Sequence, residues 1–448
     1  MQTKDEALNL NMVIIGASHA GVSAAFNLRQ QGWKGRIILL DRDPQLPYHR
    51  PPLSKKTLQS DALVSSPLKA EKAYIDNEIS LNLGQNVTSV DSKTQQITLA
   101  NSEVIPFDKL IIATGCDAFI PPIKGLSDTV DETGVNRFFA MRTYADALAI
   151  KSALTNSKDK QVVIIGGGYI GLECASSFIA LGAKVTVIEK QSHILSRVTS
   201  HVMSDFLTQL HRDKGVTLTT GKDVVEVIHQ ADKHIVVCGD GTQYPADFII
   251  VGVGVRRNTQ LAIAAGVDVE QGVKVNAVCQ TSHPNIFSIG DCTEYFSQRY
   301  QRWLKLESVQ NAVEQAKTVA QFITGNLPTV VPDTNTVNQT IQNDSRPNTQ
   351  EAVPWFWSDQ YQCKLQIVGL SDGYDELIVC QESAEQFSVW YFKADRLLCV
   401  EAVNLAKAYV LGTQAIKHNM QVNKSLLSAL DTELTKTSLL IEPVTSLN

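Results

Sequence analysis

Two short stretches of this chain pair an apolar strand with a glycine turn and, further on, a carboxylate. Residues 12–21 read MVIIGASHAG, and residues 162–171 read VVIIGGGYIG. A helix-compatible segment follows each, VSAAFNLRQQG after Gly21 and LECASSFIALG after Gly171. In the pattern G-x-G-x-x-G the first glycine permits a tight turn, the middle one lets backbone approach a pyrophosphate, and the last lets helix pack on strand. The helix N-terminus then offers N–H groups and a partial positive charge to the phosphates. Each copy closes with a second strand and an acid: IILLD ends at Asp41, 25 residues after Gly16, and VTVIE ends at Glu189, 23 residues after Gly166. A carboxylate reaches a ribose hydroxyl at about 20 residues' spacing. The chemistry on offer is the binding of two dinucleotides. Gly16, Ser18, Gly21 and Asp41 form one cradle; Gly166, Gly168, Gly171 and Glu189 form the other. Ser18 stands where the middle glycine would be. Its hydroxyl can donate to a phosphate, while its side chain narrows the approach.

The elements that must position these residues are also legible. LIIATG (110–115) reads as a strand entering a Thr-Gly turn, and FIIVGVG (248–254) as its counterpart in the second nucleotide unit. IFSIGD (286–291) is a strand ending on Gly290 and Asp291. Ligands bind beyond the C-terminal ends of strands in doubly wound sheets. Asp291 is therefore either an acceptor for the sugar alcohol of a flavin or a turn-forming Asp. From about residue 353, CKLQIVG, ELIVC, FSVWYF and RLLCVEAV read as antiparallel strands of an α+β domain. The C-terminal segment beyond them reads as helical and surface-lying. Residues 326–352, rich in Asn, Thr, Gln and Pro, read as a polar linker.

At 448 residues the chain has room for two to four domains. A net charge of −6 argues against general nucleic-acid binding. The N-terminal stretch MQTKDEALNL lacks a secretory pattern, and the apolar runs fall short of a membrane span. The expected setting is cytoplasmic. None of the eight cysteines forms C-x-x-C, and the nine histidines show no H-x-x-x-H, so no metal site is expected. Flavoproteins with two such nucleotide folds often reduce disulfides through a pair of cysteines early in the chain, but here the first cysteine is Cys116. In that place stands PYHRPPLSK (47–55), whose three prolines stiffen a loop carrying Arg50 and Lys55. A cation held near a flavin ring would favour its reduced anionic form; the other reading of Lys55 is a plain surface lysine.

Taken together, GASHAG, RPPLSK, LIIATG, GGGYIGLE, SIGDC, RWLKLESVQNAVEQAK and PWFWSDQYQCKLQIVGLSDGYD resemble the flavin-dependent NADH:ferredoxin reductases that supply bacterial oxygenases. The resemblance implies an α/β, glutathione-reductase-like fold: two Rossmann-like dinucleotide-binding domains and a C-terminal α+β domain. Its implied boundaries are 1–118 and 249–326 for FAD binding, 119–248 for NADH binding, 327–352 for the polar insertion and 353–448 for the last domain. It implies a non-covalent FAD and NADH as cosubstrate. Ala20 would lie at the FAD pyrophosphate turn, Asp41 at the adenosine ribose, Val87 at the adenine, and Arg142 at the diphosphate side. Arg50 and Lys55 would lie by the isoalloxazine loop. Ala113, Thr114 and Gly115 would line the third strand's turn, Asp291 the ribityl chain, and Val309 and Trp355 the ring. Gly166, Gly168 and Gly171 would hold the NADH pyrophosphate, Glu173 would lie near the nicotinamide, and Glu189 would take the ribose. Glu189 also argues against NADPH, because a carboxylate facing a 2′-phosphate repels it by up to about a few kcal/mol, and Lys190 is the only adjacent cation.

Hydride transfer between the cofactors requires no side-chain acid or base, so no catalytic residue is assigned beyond Lys55 and Glu173 near the rings. The implied partner is a 2Fe–2S ferredoxin feeding a cytochrome-type or Rieske-type oxygenase. Arg299, Arg302 and Lys305 form either its docking patch or an ordinary solvated face. Trp355 and Trp357 either wall the site or fill a domain interface. Three features depart from the family: Ser18, Arg257 in place of the usual proline, and the length of 326–352. The alternatives are a rubredoxin as acceptor, and a non-catalytic NADH- and flavin-dependent sensor.

Overall fold

The computed structural model describes residues 10–60, 65–126, 138–230, 233–327, 352–427 and 436–441. Most of the 327–352 insertion therefore lies outside the described residues. The longer helices are α1 (His19–Gln30), α2 (Tyr144–Asn156), α3 (Tyr169–Ala180), α4 (His201–Asp213), α5 (Val309–Ile323) and α6 (Ala406–Lys417). The chain divides into two units. Unit 1 comprises Met1–His49, Ser65–Asp117 and Arg256–Ala352, and unit 2 comprises Arg50–Val64, Ala118–Val255 and Val353–Asn448.

Unit 1 is built on a five-stranded parallel sheet in the order Ile286–Ser288, Lys109–Ile112, Asn11–Ile15, Arg36–Leu40, Ile79–Asn82. Its strands read as continuous apolar runs because both faces are covered. Successive side chains alternate between faces. Met12, Ile14, Ile37, Leu39 and Ile111 join α1 and α5 in one core. Val13, Ile15, Ile38, Leu40, Leu110 and Ile112 form a second core with the small antiparallel sheet Val87–Asp91, Gln96–Leu99, Val104–Pro106. Each fully buried aliphatic side chain contributes roughly 1.5–3 kcal/mol.

Unit 2 repeats the plan. Its parallel sheet runs Thr217–Thr219, Lys184–Ile188, Gln161–Ile165, Phe248–Val251, Phe138–Phe139. In both sheets the glycine-turn strand is central, flanked by the strand ending at the acid and by the LIIATG or FIIVGVG strand. The expected boundary at residue 248 cuts the strand Phe248–Val251. Its ladder with Gln161–Ile165 keeps it in this sheet, and unit 2 continues to Val255. The segment Arg50–Val64, expected within 1–118, likewise falls in unit 2, because Ser54 and Lys55 bond to Glu173 of α3.

The C-terminal part is a five-stranded antiparallel sheet, in the order Trp355–Gln360, Cys363–Gly369, Arg396–Val403, Gln386–Lys393, Glu376–Ser383. Four strands lie where the turn residues predict them; Trp355–Gln360 is an additional edge strand. The helix α6 is not merely surface-lying. Ala408, Leu411, Ala415 and Ile416 pack into the core with Trp390, Val400 and Leu427. A short antiparallel pair, Gln421–Val422 with Leu440–Ile441, follows it. Among the described residues no helix is long and apolar enough to cross a membrane.

Candidate functional site

The first turn is fixed by backbone. Gly16 N–H donates to Leu40 O at 2.7 Å, and Ala113 N–H to Ile15 O at 2.8 Å. Gly16 has φ +105°, and a Cβ there would stand 2.2 Å from Ala113 O; a Cβ on Gly21 would stand 1.8 Å from Gly16 O. The Asp41 carboxylate accepts Ala17 N–H at 2.5 Å and Asp43 N–H at 2.9 Å. It thus ties the turn to the end of the second strand. Ser18 is the N-cap of α1, and its side chain makes no capping bond.

Around this turn the C-terminal strand ends converge. Thr114 Oγ1 donates to Asn258 O at 2.6 Å, Asn258 Nδ2 to Thr114 O at 3.2 Å, and Asn258 N–H to Gly115 O at 3.0 Å. Gly290 N–H donates to buried Gln315 Oε1 of α5 at 2.7 Å. An added Cβ on Gly290 would lie 3.0 Å from Ala20 Cβ and 3.9 Å from that of Ala312. The Gly290–Cys292 turn, carrying Asp291, thus meets the start of α1 and the first turns of α5, which begins at Val309. Cys116 Sγ donates to Asp291 Oδ2 at 3.4 Å. The structure therefore gathers Gly16, Ser18, Ala20, Gly21, Asp41, Ala113, Thr114, Gly115, Asp291 and Val309 in one unit. Val87 is also in unit 1, buried in the core beneath the sheet.

The second turn matches the first bond for bond. Gly166 N–H donates to Ile188 O at 2.8 Å and Gly252 N–H to Ile165 O at 2.8 Å. Gly166 has φ +107°, and its added Cβ would meet Gly252 O at 2.5 Å. The Glu189 carboxylate accepts Gly167 N–H at 2.7 Å and Gln191 N–H at 2.7 Å. Gly168 is the N-cap of α3. A Cβ on Gly168 would meet only Gly252 O, at 3.7 Å, so the protein itself does not demand glycine there. Among the longer helices α2 and α5 are capped by their own side chains, Thr143 and Ser308, whereas α1, α3, α4 and α6 are not, and of these four only α1 and α3 begin behind a glycine turn. The first-turn N–H groups of α1 and α3 thus lack side-chain caps, the arrangement that accepts a phosphate. Both cradles fit a dinucleotide.

Glu173, one turn into α3, is buried and fully engaged. Lys55 Nζ lies 2.7 Å from its Oε2, Ser54 Oγ donates to Oε2 at 2.6 Å, and Ser358 Oγ donates to Oε1 at 2.7 Å. A buried charge requires such pairing and hydrogen bonding. Lys55 is thus no plain surface lysine; it sits in a kinked helical turn, Leu53–Thr57. Arg50 and Arg142 share unit 2, with Arg50 Nη1 donating to Arg142 O at 3.1 Å. The rings of Trp355 and Trp357 lie 5.6 Å apart. Ser54, Ser358 and Gln360 were missed from sequence; their signal is two polar residues, at alternate positions of WFWSDQ, on the face that is buried.

Arg302 is exposed on the strand Arg302–Leu304, and Lys305 donates to Gln271 Oε1. Arg257 pairs with Glu307, just before the α5 cap, and its Nη1 donates to Gln271 O at 3.4 Å. All eight cysteines are buried and free. Among the described residues no group of three or more His, Cys, Asp or Glu could hold a metal.

Two dinucleotide cradles of this kind, one per parallel sheet, define a class. The chain belongs to the pyridine nucleotide-disulphide oxidoreductase family, whose model matches residues 10–316, and a reductase C-terminal model matches residues 355–438. Within it the chain is a flavoprotein oxidoreductase of the ferredoxin reductase group. It is 39% identical to putidaredoxin reductase of Pseudomonas putida over 94% of each chain. It is 33% identical to terpredoxin reductase of a Pseudomonas species, over 94% of this chain and 96% of that one. Among solved structures, the covalent complex of putidaredoxin reductase with putidaredoxin matches with a TM-score of 0.84 and 38% identity, over 94% of this chain and 96% of that one.

Proposed function

We propose that this chain is an FAD-dependent NADH:ferredoxin reductase that serves a 2Fe–2S ferredoxin feeding an oxygenase of the cytochrome or Rieske type. The observation that carries this reading is the duplicated cradle: two helix N-termini without side-chain caps, each behind a glycine turn that a carboxylate holds. Unit 1 takes FAD through Gly16, Ser18, Ala20 and Gly21 at the pyrophosphate, Asp41 at the ribose and Asp291 at the ribityl chain. Val87, Ala113, Thr114, Gly115 and Val309 complete the set within that unit, while Arg50, Lys55, Arg142 and Trp355, which the resemblance also assigns to FAD, belong to unit 2. When bound, FAD supplies the link between two-electron and one-electron chemistry that a pyridine nucleotide and an iron–sulfur carrier need.

Unit 2 takes NADH through Gly166, Gly168 and Gly171, with Glu173 toward the nicotinamide and Glu189 toward the ribose. Each oxygen of Asp41 and Glu189 accepts one N–H and keeps a lone pair for a ribose hydroxyl. Lys190, the cation adjacent to Glu189, is paired with Asp223 at 2.9 Å, which supports NADH over NADPH. Eight free cysteines support a reducing, cytoplasmic setting.

The test is anaerobic reduction of the FAD-loaded protein by NADH, followed by NADH-driven cytochrome c reduction with a 2Fe–2S ferredoxin, a rubredoxin or no carrier. Stimulation by the ferredoxin is expected. A protein that takes up no flavin overturns the reading, and stimulation by rubredoxin alone reassigns the acceptor. The basic patch makes a narrower prediction. Arg302→Glu should slow ferredoxin reduction about tenfold at low salt, with the difference shrinking as salt rises. Stopped-flow reduction by NADH should not change.

A further inference from the structure

Behind Glu173 the hydrogen bonds do not stop at Ser358. Gln360 Nε2 donates to Ser358 Oγ at 3.1 Å, His211 Nε2 meets Gln360 Oε1 at 2.8 Å, and Tyr361 OH meets His211 Nδ1 at 3.1 Å. Ser358, Gln360 and His211 are buried. Burial also holds the His211 pKa below its ordinary value, so the ring is neutral and has one N–H. Because Gln360 gives its amine to Ser358, its carbonyl faces His211, which fixes that proton on Nε2. Nδ1 is then an acceptor for the Tyr361 hydroxyl. Every link points one way: Tyr361 to His211, to Gln360, to Ser358, to Glu173 Oε1. The hairpin carrying three of these residues is fastened to α3 by Tyr361 N–H, which donates to Ser176 Oγ at 2.8 Å. Donors aligned in series polarise one another, and the sum falls on the terminal acceptor.

We infer that Ser358, Gln360, His211 and Tyr361 are positioning residues of the NADH site, a relay that holds the Glu173 carboxylate oriented and locked to Lys55. The C-terminal sheet thereby takes part in the chemistry of a helix it does not belong to. The inference rests on the reading that Glu173 meets the nicotinamide, but the relay itself is tested without that reading.

The experiment uses the FAD-loaded chain with Ser358→Ala, Ser358→Thr, His211→Phe and the double variant Ser358→Ala/His211→Phe. Two readouts are followed: the rate of flavin bleaching by saturating NADH, and the solvent exchange of the Lys55 ammonium by selective 15N labelling. Ser358→Ala should slow bleaching about tenfold with NADH affinity little changed, and His211→Phe about threefold. The double variant should be no slower than Ser358→Ala, because His211 acts only through Ser358. Ser358→Thr should restore the rate. Lys55 exchange should quicken in the same order. Folded, FAD-loaded variants with wild-type rates and wild-type exchange, or effects that multiply in the double variant, overturn the relay. If Ser358→Ala fails to fold, Gln360→Met, which keeps the volume and removes both bonds, decides by the same criteria. A wild-type chain that NADH does not reduce sinks the reading of Glu173 instead, and the Lys55 exchange still judges the relay.

Discussion

The two glycine turns share a backbone and differ in what their helices touch. Counting from each first glycine, Ser23, Phe26 and Asn27 of α1 correspond to Glu173, Ser176 and Ser177 of α3. On α1, Phe26 packs edge-on to Tyr74 at 5.3 Å, inside an apolar core shared with α5. On α3 all three polar side chains are buried and hydrogen-bonded, to Ser54, Lys55, Gln59, Ser358 and Tyr361. An apolar setting is rigid and indifferent to charge, which suits a nucleotide that stays. A buried polar setting places fixed dipoles around a charge, which suits a nucleotide that arrives, reacts and leaves. On the function proposed above, the same turn serves for grip in both cradles, and the helix behind it is rewritten for a different task in the second.

The largest effect tests what is shared. Alanine at Gly16 or Gly166 must adopt φ above +100° and set a Cβ 2.2 or 2.5 Å from a carbonyl oxygen of the neighbouring strand's turn. Strain and displaced backbone together should cost about 3–5 kcal/mol in each case. Chemical denaturation of the FAD-loaded chain checks this. If one variant is nearly neutral, the two turns are not equivalent.

The next effect tests what differs. Tyr169 follows Gly168 where His19 follows Ser18. Burial first, and the nearby Glu401 carboxyl of the C-terminal sheet second, push the pKa of the Tyr169 hydroxyl well above the usual phenol value. Glu401 accepts Tyr391 OH and Thr199 Oγ1, each at 2.6 Å, on Oε2, while its buried Oε1 has no partner among the described residues. Burial pushes its pKa from 4.5 up to about 7. The folded state thus holds a proton that the unfolded chain releases near pH 4.5. Glu401 therefore adds stability that is full below pH 4.5 and is lost as pH rises to about 7, a span of roughly 3 kcal/mol. Glu401→Gln should remove that decline, making the variant relatively more stable at pH 8 than at pH 4.5. Urea denaturation at the two pH values reads it, and identical pH slopes for both proteins would count against a buried neutral acid.

The grip was legible in sequence and the rewriting was not. Local residues encode the turns: four apolar positions, a glycine needing positive φ, and an acid at the next strand's end. So Gly16, Asp41, Gly166 and Glu189 could be read off, and with them both parallel sheets. The relay is assembled from residues far apart in the chain, since Ser54, Glu173, His211 and Ser358 meet only when the fold is complete. Nothing in the local spacing of His211 distinguishes it from a surface histidine on an amphipathic helix. Arg50–Val64 joined the other unit for the same reason: its partner Glu173 lies more than a hundred positions away.

A smaller effect compares the two acids. Each carboxylate accepts two backbone N–H groups, one per oxygen. An amide has only one acceptor oxygen, so Asp41→Asn and Glu189→Gln each set an NH2 against a backbone donor. The cost should be about 1.5–3 kcal/mol, and the consequences should separate. Asp41→Asn should raise the fraction of protein isolated without flavin. Glu189→Gln should raise the KM for NADH while flavin content stays full, and it should narrow the preference over NADPH by removing the repelling charge. Loss of flavin in both variants would mean that the two cradles are not independent.

The smallest effect on stability is the most informative about the cradles. A Cβ at residue 168 finds only ordinary contact with the protein, Gly252 O at 3.7 Å. Gly168→Ala should therefore leave stability within about 0.5 kcal/mol of wild type. If NADH pyrophosphate occupies the space in front of α3, the same methyl group stands where the phosphate must approach, and the Kd for NAD+ should rise severalfold with little other change. The first cradle already contains the reciprocal experiment, because Ser18 carries the Cβ that residue 168 lacks. Ser18→Gly should then tighten FAD or leave it unchanged, since the serine side chain does not cap α1. A marked loss of FAD would show instead that the serine hydroxyl holds the phosphate directly, making the first turn a distinct solution to the same binding problem. Equilibrium binding of NAD+ to Gly168→Ala and of FAD to apo Ser18→Gly, measured by calorimetry, separates the outcomes. An unchanged NAD+ affinity in Gly168→Ala would place the nucleotide away from α3 and remove the basis for reading the second turn as a cradle.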